Sequence, residues 1–218
     1  MLQNAVYGLA EIYRNDIKNA SLVANPGCYT TCSILTLYPL VKYSLIDTST
    51  IIIDAKSGVS GAGRSVSFNS MFCEANESVK AYKIGSHRHT PEIEQELSAA
   101  GQTDIKVQFT PHLVPMNKGI LATCYAKLKE GIAEKDVKNA YQEQYAGEFF
   151  VRLLDEGVFP ETKYVRDTNF IDINFKIDER TGNIICVGAI DNLIKGASGQ
   201  AGQNINIMFG FDEKNGLI

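Results

Sequence analysis

The sequence predicts an α+β fold, a mixed, mostly antiparallel sheet with helices on one face. Strand-like runs crowd the second half of the chain without the regular strand–helix alternation of a parallel sheet, several of them alternate apolar and polar residues, and helical periods fall in three separate places. Taken in order, the strand patterns cover residues 21–24, 50–55, 105–110, 120–128, 170–177 and 184–190. The clearest is Phe170-Ile171-Asp172-Ile173-Asn174-Phe175-Lys176-Ile177, whose period of two fits a half-buried strand. Helical periods cover residues 29–45, 91–99 and 133–147; Thr90 can cap the second, with Pro91 at its first position and acids in its first turn.

The 218 residues carry 44% hydrophobic side chains, enough for a core that needs no staples. With 21 Lys+Arg against 25 Asp+Glu, the net charge of −4 provides no field to hold nucleic acid or anionic lipid. The five cysteines, at 28, 32, 73, 124 and 186, include no C-x-x-C pair, and the start shows no basic-then-apolar leader, so a cytoplasmic location with reduced thiols is expected. No charge occurs from Asn19 to Val41, but Asn25-Pro26-Gly27 and a run of Thr and Ser break the continuity a membrane helix needs. This uncharged stretch is expected to be buried in protein.

Four constellations could carry chemistry. In Asn25-Pro26-Gly27-Cys28-Tyr29-Thr30-Thr31 a strand ends, the chain turns and a helix begins, placing the Cys28 sulfur beside unpaired N–H groups. Such a position favours the thiolate, the form that attacks carbonyls; the plainer reading is a small buried cysteine filling a turn. Cys32, one helical turn on, is expected to pack inward. In Gly85-Ser86-His87-Arg88-His89-Thr90-Pro91-Glu92, two of the three histidines flank an arginine just before a helix. That fits an acid/base histidine with an anion-binding Arg88, a solvated loop, or, joined by Cys28 and Cys32, a zinc site. The glycine-rich run Lys56-Ser57-Gly58-Val59-Ser60-Gly61-Ala62-Gly63-Arg64 follows a strand and could form a nest of N–H groups for an anion or a flexible connection; it lacks the ending of a Walker A loop. Finally, Gly196, Gly199 and Gly202 follow Asp191-Asn192 at intervals that suit a close-packed helix better than a dinucleotide loop.

Together these runs, with Val6-Tyr7-Gly8-Leu9-Ala10-Glu11 and Thr110-Pro111-His112-Leu113-Val114-Pro115-Met116, resemble the N-acetyl-gamma-glutamyl-phosphate reductase family in family order over nearly the whole chain. Ala10, Thr30 and Phe149 depart from prolines common there. The larger departure is the absence of the family's amino-terminal Gly-rich nucleotide region, so the resemblance is to the C-terminal part. It implies a glyceraldehyde-3-phosphate dehydrogenase-like catalytic domain over residues 27–194, the tail of a nucleotide domain over 1–26, and over 195–218 a last helix that packs back on the nucleotide domain, its glycine face lacking a partner.

The resemblance also implies an activity: the catalytic portion of an NADP-dependent phosphorylating semialdehyde dehydrogenase of arginine biosynthesis, inactive by itself, that reduces N-acetyl-glutamyl 5-phosphate through a thioester. Cys28 would be the nucleophile, and His87, with His89 the alternative, the acid/base. Arg64, Arg88, His89, Lys56 and Glu92 would hold the small anionic substrate; Ser57, Gly58, Gly61 and Asn192 would face NADP(H), bound weakly or not at all here. No metal is implied, and a homo-oligomer is expected through the sheet. The competing expectations are a non-catalytic zinc-binding or interaction module on the same fold, and an aspartate-semialdehyde dehydrogenase-like enzyme.

Overall fold

A computed structural model of the chain describes residues 4–63, 65 and 67–218. A small parallel pair opens it: β1 (Val6–Tyr7), helix α1 (Ala10–Lys18) and β2 (Val23–Ala24), with Val6 opposite Val23. Helix α2 (Cys28–Lys42) follows and leads into the long strand β3 (Ile46–Ser57). Then come a 3₁₀ turn (Val59–Ala62), a second (Phe68–Ser70), α3 (Phe72–Ala75), β4 (Lys80–Ala81), α4 (Thr90–Gly101), β5 (Gln108–Leu113) and β6 (Ile120–Leu128). The remainder is α5 (Glu134–Gln144), β7 (Val151–Leu153), α6 (Thr162–Val165), β8 (Ile171–Asp178), β9 (Asn183–Ile190), a π-turn (Ile194–Ser198) and α7 (Gly199–Met208).

Seven strands form one sheet in the order β4-β5-β3-β6-β9-β8-β7. Only the pairs β3–β5 and β7–β8 are parallel; the other four are antiparallel, as the expected α+β class requires. Alternation decides which face is covered. On β3 Ile51, Ile53, Ala55 and Ser57 are buried, and their cross-strand partners Cys124, Ala122 and Ile120 on β6 are buried too. The intervening Ile52, Asp54 and Lys56 point the other way, with Thr123, Leu121 and Tyr125 beside them.

Helix α2 lies across β3, β6 and β9, with α4 and α5 packed on its flanks. Neighbours on several sides leave it no solvated stripe, which is why its sequence is uncharged up to Lys42. It approaches β9 at Gly188, where an added Cβ would lie 2.1 Å from Thr36 Oγ1 and 3.3 Å from Cys32 Sγ. From the other side, the Tyr141 hydroxyl donates to Thr36 C=O at 2.6 Å and Tyr145, one turn on, donates to Leu35 C=O, so α5 is hydrogen-bonded to the body of α2.

The fifth strand starts later than the alternation suggested and runs through Pro111. This proline lies toward the edge of the sheet, beside the two-residue β4, where its missing N–H costs little, and its C=O accepts from Tyr82 N–H at 3.1 Å. The third strand starts earlier, because Asp47, Thr48, Ser49 and Thr50 give no apolar alternation and the register shifts between Asp47 and Ile52.

The glycine face of the C-terminal helix does not lack partners. An added Cβ would meet Cys28 Cβ at 2.7 Å from Gly196, Asn169 Oδ1 at 2.3 Å from Gly199 and Leu217 Cδ2 at 3.3 Å from Gly202. The chain fills those positions itself, correcting the expectation. Among the described residues no helix is long and apolar enough to cross a membrane.

The contact at Gly188 yields a direct test. Gly188→Val places a branched side chain against Thr36 and should lower unfolding free energy by about 2–3 kcal/mol, an overpacking cost. Urea unfolding measures it; a midpoint equal to that of the parent chain would show that α2 yields without cost.

Candidate functional site

The turn before α2 is built around one carboxylate. Gly27 caps the helix with extended backbone, and its N–H donates to Glu92 Oε1 at 3.0 Å. The same oxygen accepts the Tyr7 hydroxyl at 2.7 Å and lies 2.9 Å from Thr30 Oγ1. Glu92 sits in the first turn of α4, so it ties β1, α2 and α4 together, and this Oε1 is occupied by the chain itself.

Cys28 is the first residue of α2, half-buried behind Gly196. Burial pushes its thiol above the ordinary range; the N–H groups of Tyr29 and Cys28 and the charge of Arg88 pull the other way without compensating. The expected thiolate bias is therefore corrected, because desolvation exceeds what the helix start supplies. Cys32 is fully buried and pushed up to about 12.

The two histidines do come together beside this turn. Their rings are 4.8 Å apart, both are buried, and Arg88 between them is exposed. His89 presses on the cysteine turn, since a methyl on Gly27 would lie 2.4 Å from its Nε2. Its Nδ1 is buried without a partner, although the residue is only 7% exposed. His87 is set back in an aromatic cage of Tyr29, Tyr82 and Phe109, and its Nδ1 accepts from His89 N–H at 3.1 Å. Burial and the neighbouring positive charges hold its imidazolium down to about 4, while burial lowers His89 against the opposing charge of Glu92.

The other expected residues divide. Lys56 pairs with Asp54 Oδ2 at 2.8 Å on the sheet face away from α2, and Asp54 Oδ1 lies 3.0 Å from His112 Nδ1. The pleat thus separates Lys56 from Cys28. Arg64 lies outside the described residues. Ser57 is buried and directs its hydroxyl to Gly58 C=O at 2.9 Å. Gly58 is backed against the chain, with Asn117 C=O 2.7 Å from an added Cβ, and Gly61 sits over the Ser57 hydroxyl. Asn192 accepts from Gly119 N–H at 2.7 Å and donates to Ser60 Oγ at 3.1 Å, closing the glycine-rich run onto β6. These four residues spend their polar groups on one another and on the loop, and the β1–β2 pair is no clear dinucleotide-binding sheet, so they do not fit NADP(H) as they stand. No group of three or more His, Cys, Asp or Glu among the described residues could hold a metal ion.

Two functional-looking residues escaped the sequence reading. Lys195 and Glu11 are both fully buried and paired through Lys195 Nζ and Glu11 Oε1. Gln203 accepts from Lys195 at 2.8 Å and donates to Glu11 at 3.0 Å. Burial lowers the ammonium and the carboxylate opposes it; the carboxyl itself is held below its ordinary value by Lys195 and Gln203 against desolvation. The only signal in sequence was a charge inside each of two otherwise apolar runs, Leu9-Ala10-Glu11-Ile12 and Leu193-Ile194-Lys195-Gly196.

Comparison with known proteins gives the class of this fold. Residues 28–192 match the family model described as semialdehyde dehydrogenase, dimerisation domain, and the chain belongs to that family. It is 60% identical over 217 residues to the N-acetyl-gamma-glutamyl-phosphate reductase of Campylobacter jejuni (strain 81116), covering 100% of this chain and 64% of that protein. For the protein of the same name from Lachnoclostridium phytofermentans the identity is 56% over 216 residues, with 99% and 62% covered. The chain therefore matches the C-terminal domain of such proteins and spans less than two thirds of their length. In fold it is similar to aspartate semialdehyde dehydrogenase II from Vibrio cholerae (TM-score 0.72, 19% identity, 95% of this chain and 69% of that one). A probable aspartate-semialdehyde dehydrogenase from Pseudomonas aeruginosa gives 0.73 at 13% identity, covering 96% and 70%.

The family match overturns the main functional expectation. The region read as the catalytic portion of an NADP-dependent dehydrogenase, with oxidoreductase chemistry through a Cys28 thioester, is matched as a dimerisation domain. The competing expectation of an interaction module on the same fold agrees with it, and no cluster among the described residues fits its zinc-binding variant. Oligomerisation through this region follows from the family.

The caged His87 makes stability depend on pH. Its folded value of about 4 lies below the ordinary 6.5, so the unfolded chain binds more protons between those values. Its contribution is intact above pH 6.5 and is lost as pH falls toward 4. Thermal melts of His87→Phe should show a flatter decline across that window than the parent chain; parallel curves would count against a caged neutral imidazole.

Proposed function

We propose that this chain is the assembly module of an N-acetyl-gamma-glutamyl-phosphate reductase-type protein, and that two copies pair through the open face of the sheet. One observation carries the reading: α2, with α4 and α5 on its flanks, covers one face, α6 covers only the β8–β9 end of the other, and what stays open there presents Ile52, Leu121, Tyr125, Ile185 and Val187 on adjacent strands β3, β6 and β9. Ile52 is 41% exposed and the rest are half-buried. An apolar patch of this kind, bordered on β3 by the Asp54–Lys56 pair, fits an interface better than a solvated surface. Its β8 margin is already closed by the segment from Asp155 to Val158, whose two carbonyls accept from Asn174 Nδ2 at 2.9 and 2.6 Å. The open area is thus confined to the middle strands.

On the helical side, the turn holding Cys28, with His87, His89 and Arg88, is proposed as a pocket for a small carboxylate- or phosphate-bearing ligand, N-acetylglutamyl phosphate by the name of the relatives. The unpartnered Nδ1 of His89 and the exposed Arg88 support it. NADP(H) is proposed to bind this chain weakly or not at all, because the residues that would face it are bonded within the loop. Residues 1–26 and 195–218, whose helices α1 and α7 pack together, are proposed as the part that a nucleotide domain would extend. Five unpaired cysteines fit a cytoplasmic setting.

Sedimentation equilibrium tests the assembly. The parent chain should run as a dimer, and Tyr125→Asp or Ile52→Asp should weaken it by about 2 kcal/mol each, roughly thirtyfold in Kd. A parent chain that stays monomeric at high micromolar concentration, or variants that associate as the parent does, would move the interface elsewhere.

A further inference from the structure

The buried pair Glu11–Lys195 lies away from the sheet face, and nothing in the assembly reading uses it. A lysine with no exposed surface, facing a carboxylate equally buried, is costly to desolvate, and a surface position would have served if the only need were to end a helix. What the pair touches suggests its use. Lys195 is the second residue of the π-turn, a short irregular element of a kind often found at functional sites. The next residue, Gly196, stands against Cys28, with an added Cβ only 2.7 Å from Cys28 Cβ and 3.1 Å from Cys28 Cα. One residue further, Ala197 C=O accepts from Asn25 Nδ2 at 3.2 Å, and Asn25 Oδ1 accepts from Asn204 of α7 at 3.0 Å. The π-turn is therefore one wall of the cysteine turn, held against it by the close approach of Gly196 and the bond from the exposed Asn25. Behind that wall, Lys195 anchors it to Glu11 on α1, and Gln203 closes the triangle and accepts from Asn169 Nδ2 at 3.0 Å.

We infer that Lys195 and Glu11 are positioning residues for the Cys28 pocket: their buried pair sets where the π-turn stands, and through Gly196 the π-turn keeps water off the Cys28 sulfur. The inference rests on the reading of that turn as a ligand pocket. Removing the ammonium leaves a buried carboxylate alone, so water enters or the π-turn shifts, and either exposes the sulfur. Direct electrostatics would act in the opposite sense, because loss of a nearby positive charge disfavours a thiolate. The two effects have opposite signs at Cys28 and can be told apart.

The experiment follows Cys28 alkylation by iodoacetamide against pH in the full chain, by mass spectrometry, with the exposed Cys73 as internal reference. In Lys195→Met the Cys28 midpoint should fall by about one pH unit, roughly a tenfold gain in rate below the midpoint, while Cys73 is unmoved. The double variant Glu11→Leu with Lys195→Met, which leaves no lone charge, should return the midpoint toward that of the parent. Gly196→Ala, with the ion pair intact, should move the profile in the same direction as Lys195→Met and serves if that variant does not fold. A folded variant with lowered melting temperature and an unchanged Cys28 profile, or a midpoint that rises, overturns the inference. The pocket reading fails separately: it requires inorganic phosphate to protect Cys28 in the parent chain, and absence of protection with the variant series as expected would leave the wall in place without a ligand.

Discussion

The constraint on which the rest depends is the burial of α2. A helix of fifteen residues packed against three strands and two further helices can present no charged face, and every neighbour must accommodate it. Gly188 gives up its side chain so that β9 can pass beneath Thr36, while Tyr141 and Tyr145 spend their hydroxyls on its carbonyls. Its first turn has no acidic residue of its own, and Glu92 from α4 supplies one in space. Because the helix starts at Cys28, the demand for burial reaches the sulfur itself. Helix dipole and backbone amides act on that thiol, but the walls around it act more strongly.

The sheet divides the molecule into two surfaces with different work. Toward the helices lie the core, the histidine pair and the cysteine turn. Away from them lie Ile52, Tyr125 and their neighbours, with Asp54 set between Lys56 and His112. A one-residue change of parity moves a side chain from one to the other, which is why Lys56, three residues before Val59 in the glycine-rich run, ends on the open face although Ser57 does not.

Much of this was legible in the residues. The alternation of 170–177 marked β8 within one residue, the uncharged stretch marked α2, and the pair His87 and His89 was rightly placed beside the start of α4. Short edge elements were not legible, because two or three residues, as in β4 and β7, carry no period. Neither was the side of the sheet to which Lys56 belongs, since register is a property of two strands. Lys195 and Glu11 showed in sequence only as single charges in apolar runs; their meeting across 184 positions makes them a core feature. The functional reading erred in a related way. Motifs around a cysteine and two histidines spoke for chemistry, whereas the family match describes the region that contains them as a dimerisation domain.

Glu92 carries one more implication. A single carboxylate oxygen receives the Tyr7 hydroxyl and the Gly27 amide and lies beside the Thr30 hydroxyl, so three segments far apart in sequence share one acceptor. If α4 moves away, the Tyr7 hydroxyl and the Gly27 amide lose their acceptor together. The first strand, the cysteine turn and the start of α4 are thereby made one cooperative unit that opens together, and amide protons throughout it should exchange with solvent by one common event rather than by separate fraying at each end.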